Sequence, residues 1–267
     1  MTGVHLGLDQ TDEPVAISAL EFDVLWEHCF GAEEVSGMPL VLKVPSPGRT
    51  RAERSRLVNQ AWSGLEQRGL GRSVDLDPRL ELMLGVLRRP DREIDGRLWV
   101  GRSLRLLTAS SGEQAVLAVL AGDQLTMRFA DVTGLPRYAL SVLPAQPAGP
   151  GQSITMRTHD FESAAQQATD KTAFEAALRE LSVRAEDATA LVTMIGDIVN
   201  QGQFGSAARD KLGKRVRADR VLSFFDTPDG RYLQVRRESS GELWTTISPA
   251  DQRRMLQHLT DLHEEQA

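Results

Sequence analysis

Leu57-Val58-Asn59-Gln60-Ala61-Trp62-Ser63-Gly64-Leu65 and, 116 positions on, Ala173-Phe174-Glu175-Ala176-Ala177-Leu178-Arg179-Glu180-Leu181 space their apolar side chains alike. In each, the apolar positions fall at i, i+1, i+4, i+5 and i+8, one stripe of an amphipathic helix. A second helix follows in both halves, with Leu80, Met83, Leu84, Gly85 and Leu87 against Leu191, Met194, Ile195, Gly196 and Ile198. A hairpin pattern then recurs: Leu104, Leu106, Leu107, Gly112, Ala115 and Leu117 match Leu222, Phe224, Phe225, Gly230, Leu233 and Val235. The offset moves from 116 to 111 to 118, as small loop insertions would make it. The pattern reads as a degenerate duplication. Two copies of an α+β unit facing each other would make a broad groove.

Outward from these stripes, Ser18 is placed to cap a first helix carrying Leu20, Val24, Leu25 and Trp26, with Glu21 at its third position. Pro39 to Val44 reads as a strand, ended by the turn signal Pro45-Ser46-Pro47-Gly48. The next helix spans about Thr50 to Arg68 and stops at Gly69, and Asp77-Pro78 starts another. After Pro90, strands are predicted near 93–100, 103–109, 114–120 and 124–130, then a short helix near 135–143. The run 144–151 (PAQPAGPG) is the join between an N-terminal lobe, 1–143, and a C-terminal lobe, 152–267.

The second lobe repeats the order. A strand near 153–157 precedes helices near 159–167, 171–181 and 185–199. Strands follow at 203–208, 221–226, 230–237 and 242–247, and Ser248-Pro249 opens a closing helix. Hairpin links imply antiparallel sheets, and the class is α+β.

Composition bounds the function. The 267 residues include 31 Lys and Arg against 37 Asp and Glu, a net charge of −6 that argues against nucleic-acid or anionic-membrane partners. A single cysteine, Cys29, forms no internal disulfide and is read as a small buried hydrophobe, so a reducing compartment is expected. The longest apolar run, Ala115 to Ala121, is far short of the roughly 20 residues of a membrane span. Met1 to Gln10 has no basic segment followed by an apolar run. A cytoplasmic location follows.

Chemistry-bearing constellations are sparse. Asp226-Thr227-Pro228-Asp229-Gly230-Arg231 puts two carboxylates on one loop, but Pro-Asp-Gly between apolar strands is first a turn signature. A small-ligand binder or hydrolase using Asp226 and Asp229 is the alternative reading. The histidines at 5, 28, 159, 258 and 263 have no metal-ligand spacing, and no catalytic, cofactor or metal site is assigned. Two basic runs, Arg49 to Arg56 and Arg209 to Arg220, read as solvated surface, with a docking role open for the second. Trp99, Phe204 and Trp244 sit on strands where one sheet face can stay uncovered.

Val24-Leu25-Trp26-Glu27, the run from Pro39 to Thr50, Ala61-Trp62, Arg68-Gly69-Leu70 and Arg89-Pro90-Asp91-Arg92-Glu93 resemble the EspG family of the type VII (ESX) secretion systems of mycobacteria. Gly202-Gln203-Phe204-Gly205 and Val221 through Tyr232 continue the likeness. The resemblance implies two pseudo-repeated lobes about a pseudo-two-fold axis. It implies a cytosolic, non-catalytic chaperone that binds the apolar helical tip of PPE in PE–PPE heterodimers, keeping the pair soluble for export. Binding is expected by the sheet and C-terminal helices, through Trp99, Met194, Ile198, Phe204, Phe224 and Trp244, with Arg231 at the rim. A monomer with weak self-association is expected. The link around Trp99-Val100-Gly101-Arg102 is short, whereas some members carry a longer loop there.

Overall fold

The computed structural model describes residues 13–31 and 37–266. The chain divides into two compact units, one of residues 1–95, 104–139 and 208–214, the other of 96–103, 140–207 and 215–267.

In the first unit, strand β1 (Val15–Ser18) runs into helix α1 (Ala19–Phe30). Ser18 caps α1 as its sequence predicts: its hydroxyl accepts from the Glu21 amide while the Glu21 carboxylate accepts from the Ser18 amide. Helix α2 (Arg51–Gln67) is capped by Thr50. A two-residue hairpin, β2 (Gly71–Arg72) and β3 (Asp75–Leu76), leads to α3 (Pro78–Arg88), capped by Asp77 with Pro78 in its first turn. Strands β4 (Arg92–Val100, which belongs to the second unit from residue 96 on), β5 (Ser103–Ser111), β6 (Gln114–Ala121) and β7 (Gln124–Ala130) follow, then α4 (Leu135–Leu140). The strand order is β1-β7-β6-β5-β4. Phe22, Trp26 and Phe30, one turn apart on α1, meet edge to face at centroid separations of 5.6 and 4.9 Å. Trp26 is fully buried, and α3 closes the same core through Leu80, Met83, Leu84 and Leu87.

Two expectations change here. Residues 39–44 form a turn and extended coil, not a strand: the Leu42 amide donates to the Pro39 carbonyl and the Lys43 carbonyl accepts from Arg105. The run is apolar because Val41, Leu42 and Val44 plug the core, a demand that needs no ladder partner. Arg54 is no solvated cation either. It bridges Asp23, at 2.5 Å, and Glu27 on α1.

The second unit opens with β8 (Ile154–Arg157), followed by α5 (Thr158–Gln167), α6 (Lys171–Glu180) and α7 (Ala185–Met194). Then come β9 (Asn200–Arg209), β10 (Arg215–Arg217), β11 (Leu222–Thr227), β12 (Gly230–Ser239), β13 (Glu242–Pro249) and α8 (Gln252–Glu264). The strand order is β4-β9-β11-β12-β13-β8, with β10 beside β9. Helix α7 ends five residues before the expected Val199, because the chain turns at Gly196 to enter β9. The last helix starts at Gln252, capped by Asp251, since Ser248 and Pro249 remain paired in the ladder with Leu233 and Tyr232.

Element order and strand pairing repeat between the units. Each has a strand, three helices (the third preceded by the β2–β3 hairpin in the first unit), a run of strands and a closing helix, and in each the first strand pairs antiparallel with the last. The hairpin closes at Ser111–Gln114 in one and Thr227–Gly230 in the other, 116 positions on in both strands. The offset of 118 is corrected accordingly. Gly112 lies inside its turn, whereas Gly230 is already the first residue of a strand.

Candidate functional site

All seven residues expected to contact a partner lie in the second unit. Register sorts them by face, because residues opposite one another across a ladder share a side. Phe204 pairs with Leu222 and Phe224 with Leu233, so Asn200, Gly202, Phe204, Phe224, Asp226, Arg231 and Trp244 alternate onto one face. Gln201, Gln203, Ser223, Phe225, Tyr232, Gln234 and Ile247 occupy the other.

The first face is covered. Phe204 and Phe224 stack at 6.0 Å, both buried, and Ser206 Oγ lies 3.0 Å from His263 Nδ1 of α8. Arg231 is 0% exposed, not at a rim. Its guanidinium donates twice to Asp226, at 2.6 and 3.0 Å, and to the Pro144 carbonyl, and it lies over the Phe224 ring at 5.2 Å. The Arg231 backbone is as occupied as its side chain. Its amide donates to the Pro147 carbonyl, and its carbonyl accepts from the amides of Gly149 and Ala250. The Pro/Gly-rich run 144–151 is thus pinned to the sheet. Asp226 also accepts from Asn200. A carboxylate fully buried and paired in this way is a structural ion pair, and Asp229 is exposed on the turn, its amide donating to Thr227 Oγ1. Trp244 is half-buried on this same face.

The second face is covered only in part. The row Gln203–Ser223–Gln234–Ile247–Ile154 crosses five strands. Ile247 and Ile154 are buried with Met156, Phe225 and Tyr232 beneath α5, α6 and α7, where Phe174, Leu178, Leu191 and Met194 close the core. Met194 therefore supports the site from inside. At the other end of the row Gln203 is exposed, and Ser223 and Gln234 are half-buried. A Cβ on Gly202 would meet Leu98, so Leu98 belongs with Phe204, and its neighbour Trp99 turns to the open side. Trp99 is 52% exposed, and Ile198 and Val199, in the segment entering β9, are 44% and 46% exposed. The exposed apolar side chains Trp99, Ile198 and Val199 and the exposed Gln201 and Gln203 are the candidate shelf, with the Asp197–Lys171 ion pair next to Ile198. That mixture suits an interface core with a polar surround. Only Trp99 and Ile198 of the expected set belong to it. Gln201 and Gln203 were signalled by polar side chains alternating along a strand without an apolar partner set.

Two groups near this sheet have displaced acidities. Burial, with Asp229 nearby, pushes the Tyr232 phenol up, and its hydroxyl donates to the Pro150 carbonyl. Burial and the charges of Arg254, Arg237 and Arg220 hold His258 on α8 below the usual imidazole value, against the opposing pull of Asp261. Among the described residues, no group of three or more His, Cys, Asp or Glu is placed to hold a metal ion. Among them, too, no helix is long and apolar enough to cross a membrane.

Comparison with known proteins agrees with the resemblance read from the sequence. ESX-1 secretion-associated protein EspG1 of Mycobacterium tuberculosis is 24% identical over 195 residues, covering 70% of this chain and 65% of that protein. EspG1 of Mycobacterium marinum is likewise 24% identical over 195 residues, covering 70% of this chain and 66% of that protein. The matches thus span just under two thirds of the length of these curated relatives. The type VII secretion system chaperone EspG5 of Mycobacterium tuberculosis, solved in complex with a PE25-PPE41 dimer, has the same fold: TM-score 0.69 at 15% identity, over 94% of this chain and 95% of that one. The sequence profile of the EspG family matches residues 18–261, and the chain belongs to that family.

Proposed function

We propose that this chain is a cytosolic, non-catalytic chaperone of a type VII secretion system that holds the apolar helical tip of PPE in a PE–PPE heterodimer. One observation carries the reading: the fold is shared, nearly end to end, with a chaperone solved on its PE25-PPE41 client. The second unit supplies a surface of suitable chemistry, the shelf of Trp99, Ile198, Val199, Gln201 and Gln203. The buried ion pair of Arg231 and Asp226 and the stacked Phe204 and Phe224 keep that sheet rigid.

The physical logic is sequestration. A helical hairpin with a bare apolar tip self-associates, because nothing else removes that surface from water. Covering it with an interface of roughly 1,200–2,000 Å² lowers the free concentration of the sticky species by mass action. Trp99 is the anchor, since large aromatics at the centre of an interface dominate binding. The reading takes residues 1–143 and 152–267 as two like lobes, and the free protein as a monomer with weak self-association.

The test is co-expression with a panel of PE–PPE pairs, followed by size-exclusion chromatography of wild type and Trp99→Glu. A complex should elute with the wild type and be lost with the variant, whose circular dichroism stays unchanged. Equal complex formation by both would remove the shelf. Absence of any complex across the panel would remove the function.

A further inference from the structure

We propose that the open end of the sheet beside α8, within the second unit, is a docking surface for an acidic peptide segment of a partner protein, with Trp244 as the seat of an aromatic or aliphatic side chain. Register sets one row across three strands: Arg237 on β12 lies opposite Trp244 on β13, which lies opposite Arg157 on β8. Residues opposite one another across a ladder share a face, so an indole stands between two arginines. In the next row on that face, Val235–Thr246–Thr155, the two threonine hydroxyls are 2.8 Å apart. Helix α8 lies over β11 and leaves this end open: Arg237, Arg157 and Thr155 are exposed, and Trp244 and Thr246 are half-buried.

Helix α8 borders the row with Arg254 and His258, one turn apart. Burial first, then the charges of Arg254 on α8, Arg237 on β12 and Arg220 ahead of β11, hold the His258 imidazole below its usual value, against Asp261 on α8. Three cations against one carboxylate make the field beside α8 positive. Two arginines of the group are answered within the chain, Arg220 by Glu265 and Arg157 by Glu242 at 3.1 Å. Arg237 and Arg254, both exposed, have no ion-pair partner among the described residues. Glu238, next to Arg237 in sequence, alternates onto the opposite face with Leu243. Arg220 Nη1, a donor in every state, is buried without a hydrogen-bond partner among the described residues, and so is His258 Nδ1. The cluster is short of acceptors as well as of negative charge.

A charge on an edge strand discourages further strand pairing, which accounts for Arg157 by itself. It does not account for Arg237, on an inner strand, or for the open indole opposite it. Carboxylates of a partner match the guanidinium forks, and a ring or aliphatic side chain matches Trp244. Nucleic acid, which could also use an indole between arginines, is disfavoured by the net charge of −6.

The experiment titrates the full chain into a fluorescein-labelled peptide of one phenylalanine between runs of glutamate and follows anisotropy. The same peptide with glutamine for glutamate, and a labelled single-stranded DNA oligonucleotide, serve as rivals. Saturable, salt-sensitive binding to the acidic peptide is expected, weakened at least about tenfold by Arg237→Glu with Arg254→Glu. Tm of that variant should stay near wild type, because both side chains are exposed. Trp244→Ala should weaken the peptide about two- to tenfold. Bound carboxylates oppose the guanidiniums around His258, so the peptide should raise the His258 pKa, followed by NMR from its ring protons. The proposal is overturned if the acidic peptide does not bind, or if the glutamine peptide or the oligonucleotide binds equally. It is also overturned if charge reversal leaves affinity unchanged, or if binding leaves the His258 titration where it was.

Discussion

Arg231→Met removes the cation from a fully buried ion pair while keeping most of the side chain's bulk. The loss is specific: two donors to Asp226 at 2.6 and 3.0 Å, one to the Pro144 carbonyl at 3.0 Å, one to Gln252 Oε1 at 3.4 Å, and the contact over the Phe224 ring. Asp226 then keeps Asn200 as its side-chain donor at 3.1 Å, still out of water. Leaving one partner of a buried pair uncompensated costs about 3–5 kcal/mol. At about 2–4 °C per kcal/mol for a chain of this size class, Tm should fall by roughly 6–20 °C. Backbone bonds from Arg231 to Pro147 and Gly149 survive the substitution, so the join should stay docked below the transition. The partner change Asp226→Leu, added to Arg231→Met, removes the orphaned charge and should restore more than half of the loss. Differential scanning calorimetry of the three variants decides it. If the single change costs less than about 1 kcal/mol, or if the second change adds to the damage, the ion pair does not hold this sheet together as argued.

Further outcomes follow from other parts of the molecule. Trp99→Ala, on the open shelf, should weaken client binding by about 2–4 kcal/mol, roughly 30- to 1,000-fold, with Tm little changed; isothermal titration against a bound PE–PPE pair checks it. Gly149→Ala places a Cβ 2.2 Å from the Tyr232 ring, so it should destabilise the chain by about 1–3 kcal/mol, read from the urea midpoint. His258 titrates below its unfolded value near 6.5, so the folded state takes up its proton less readily and its stability contribution is complete above that pH. That contribution is lost as pH falls through the folded-state value. Urea midpoints should therefore drop on acidification below about pH 6.5, and less steeply in His258→Gln.

Periodic segments were legible in the sequence, and side-chain destinations were not. Helices α1 and α3 announce themselves by Ser18 and Asp77 at their caps, because capping is a local hydrogen-bond requirement, and α2 by the turn signal that precedes it. The run from Pro39 to Val44 misled because apolar composition reports burial, not pairing. Short strands β1 and β10 escaped notice for the converse reason, since a strand of three or four residues carries too little alternation to register. Membership of one sheet face likewise depends on register, which is tertiary. Phe204, Phe224 and Trp99 read alike as aromatic strand residues, but register sends the first two beneath α8 and the third outward. Arg231 looked like a surface residue because a turn precedes it, and only the folded chain reveals Asp226 opposite it.

Hydrogen–deuterium exchange of the chain, alone and in complex with a PE–PPE pair, tests the central proposal most directly. The account predicts slowed exchange at 97–101 and 198–203 on binding, with the interior of β12 unchanged because it is protected already. Protection confined to the first unit, or none in the segments around Trp99 and Ile198, would contradict it.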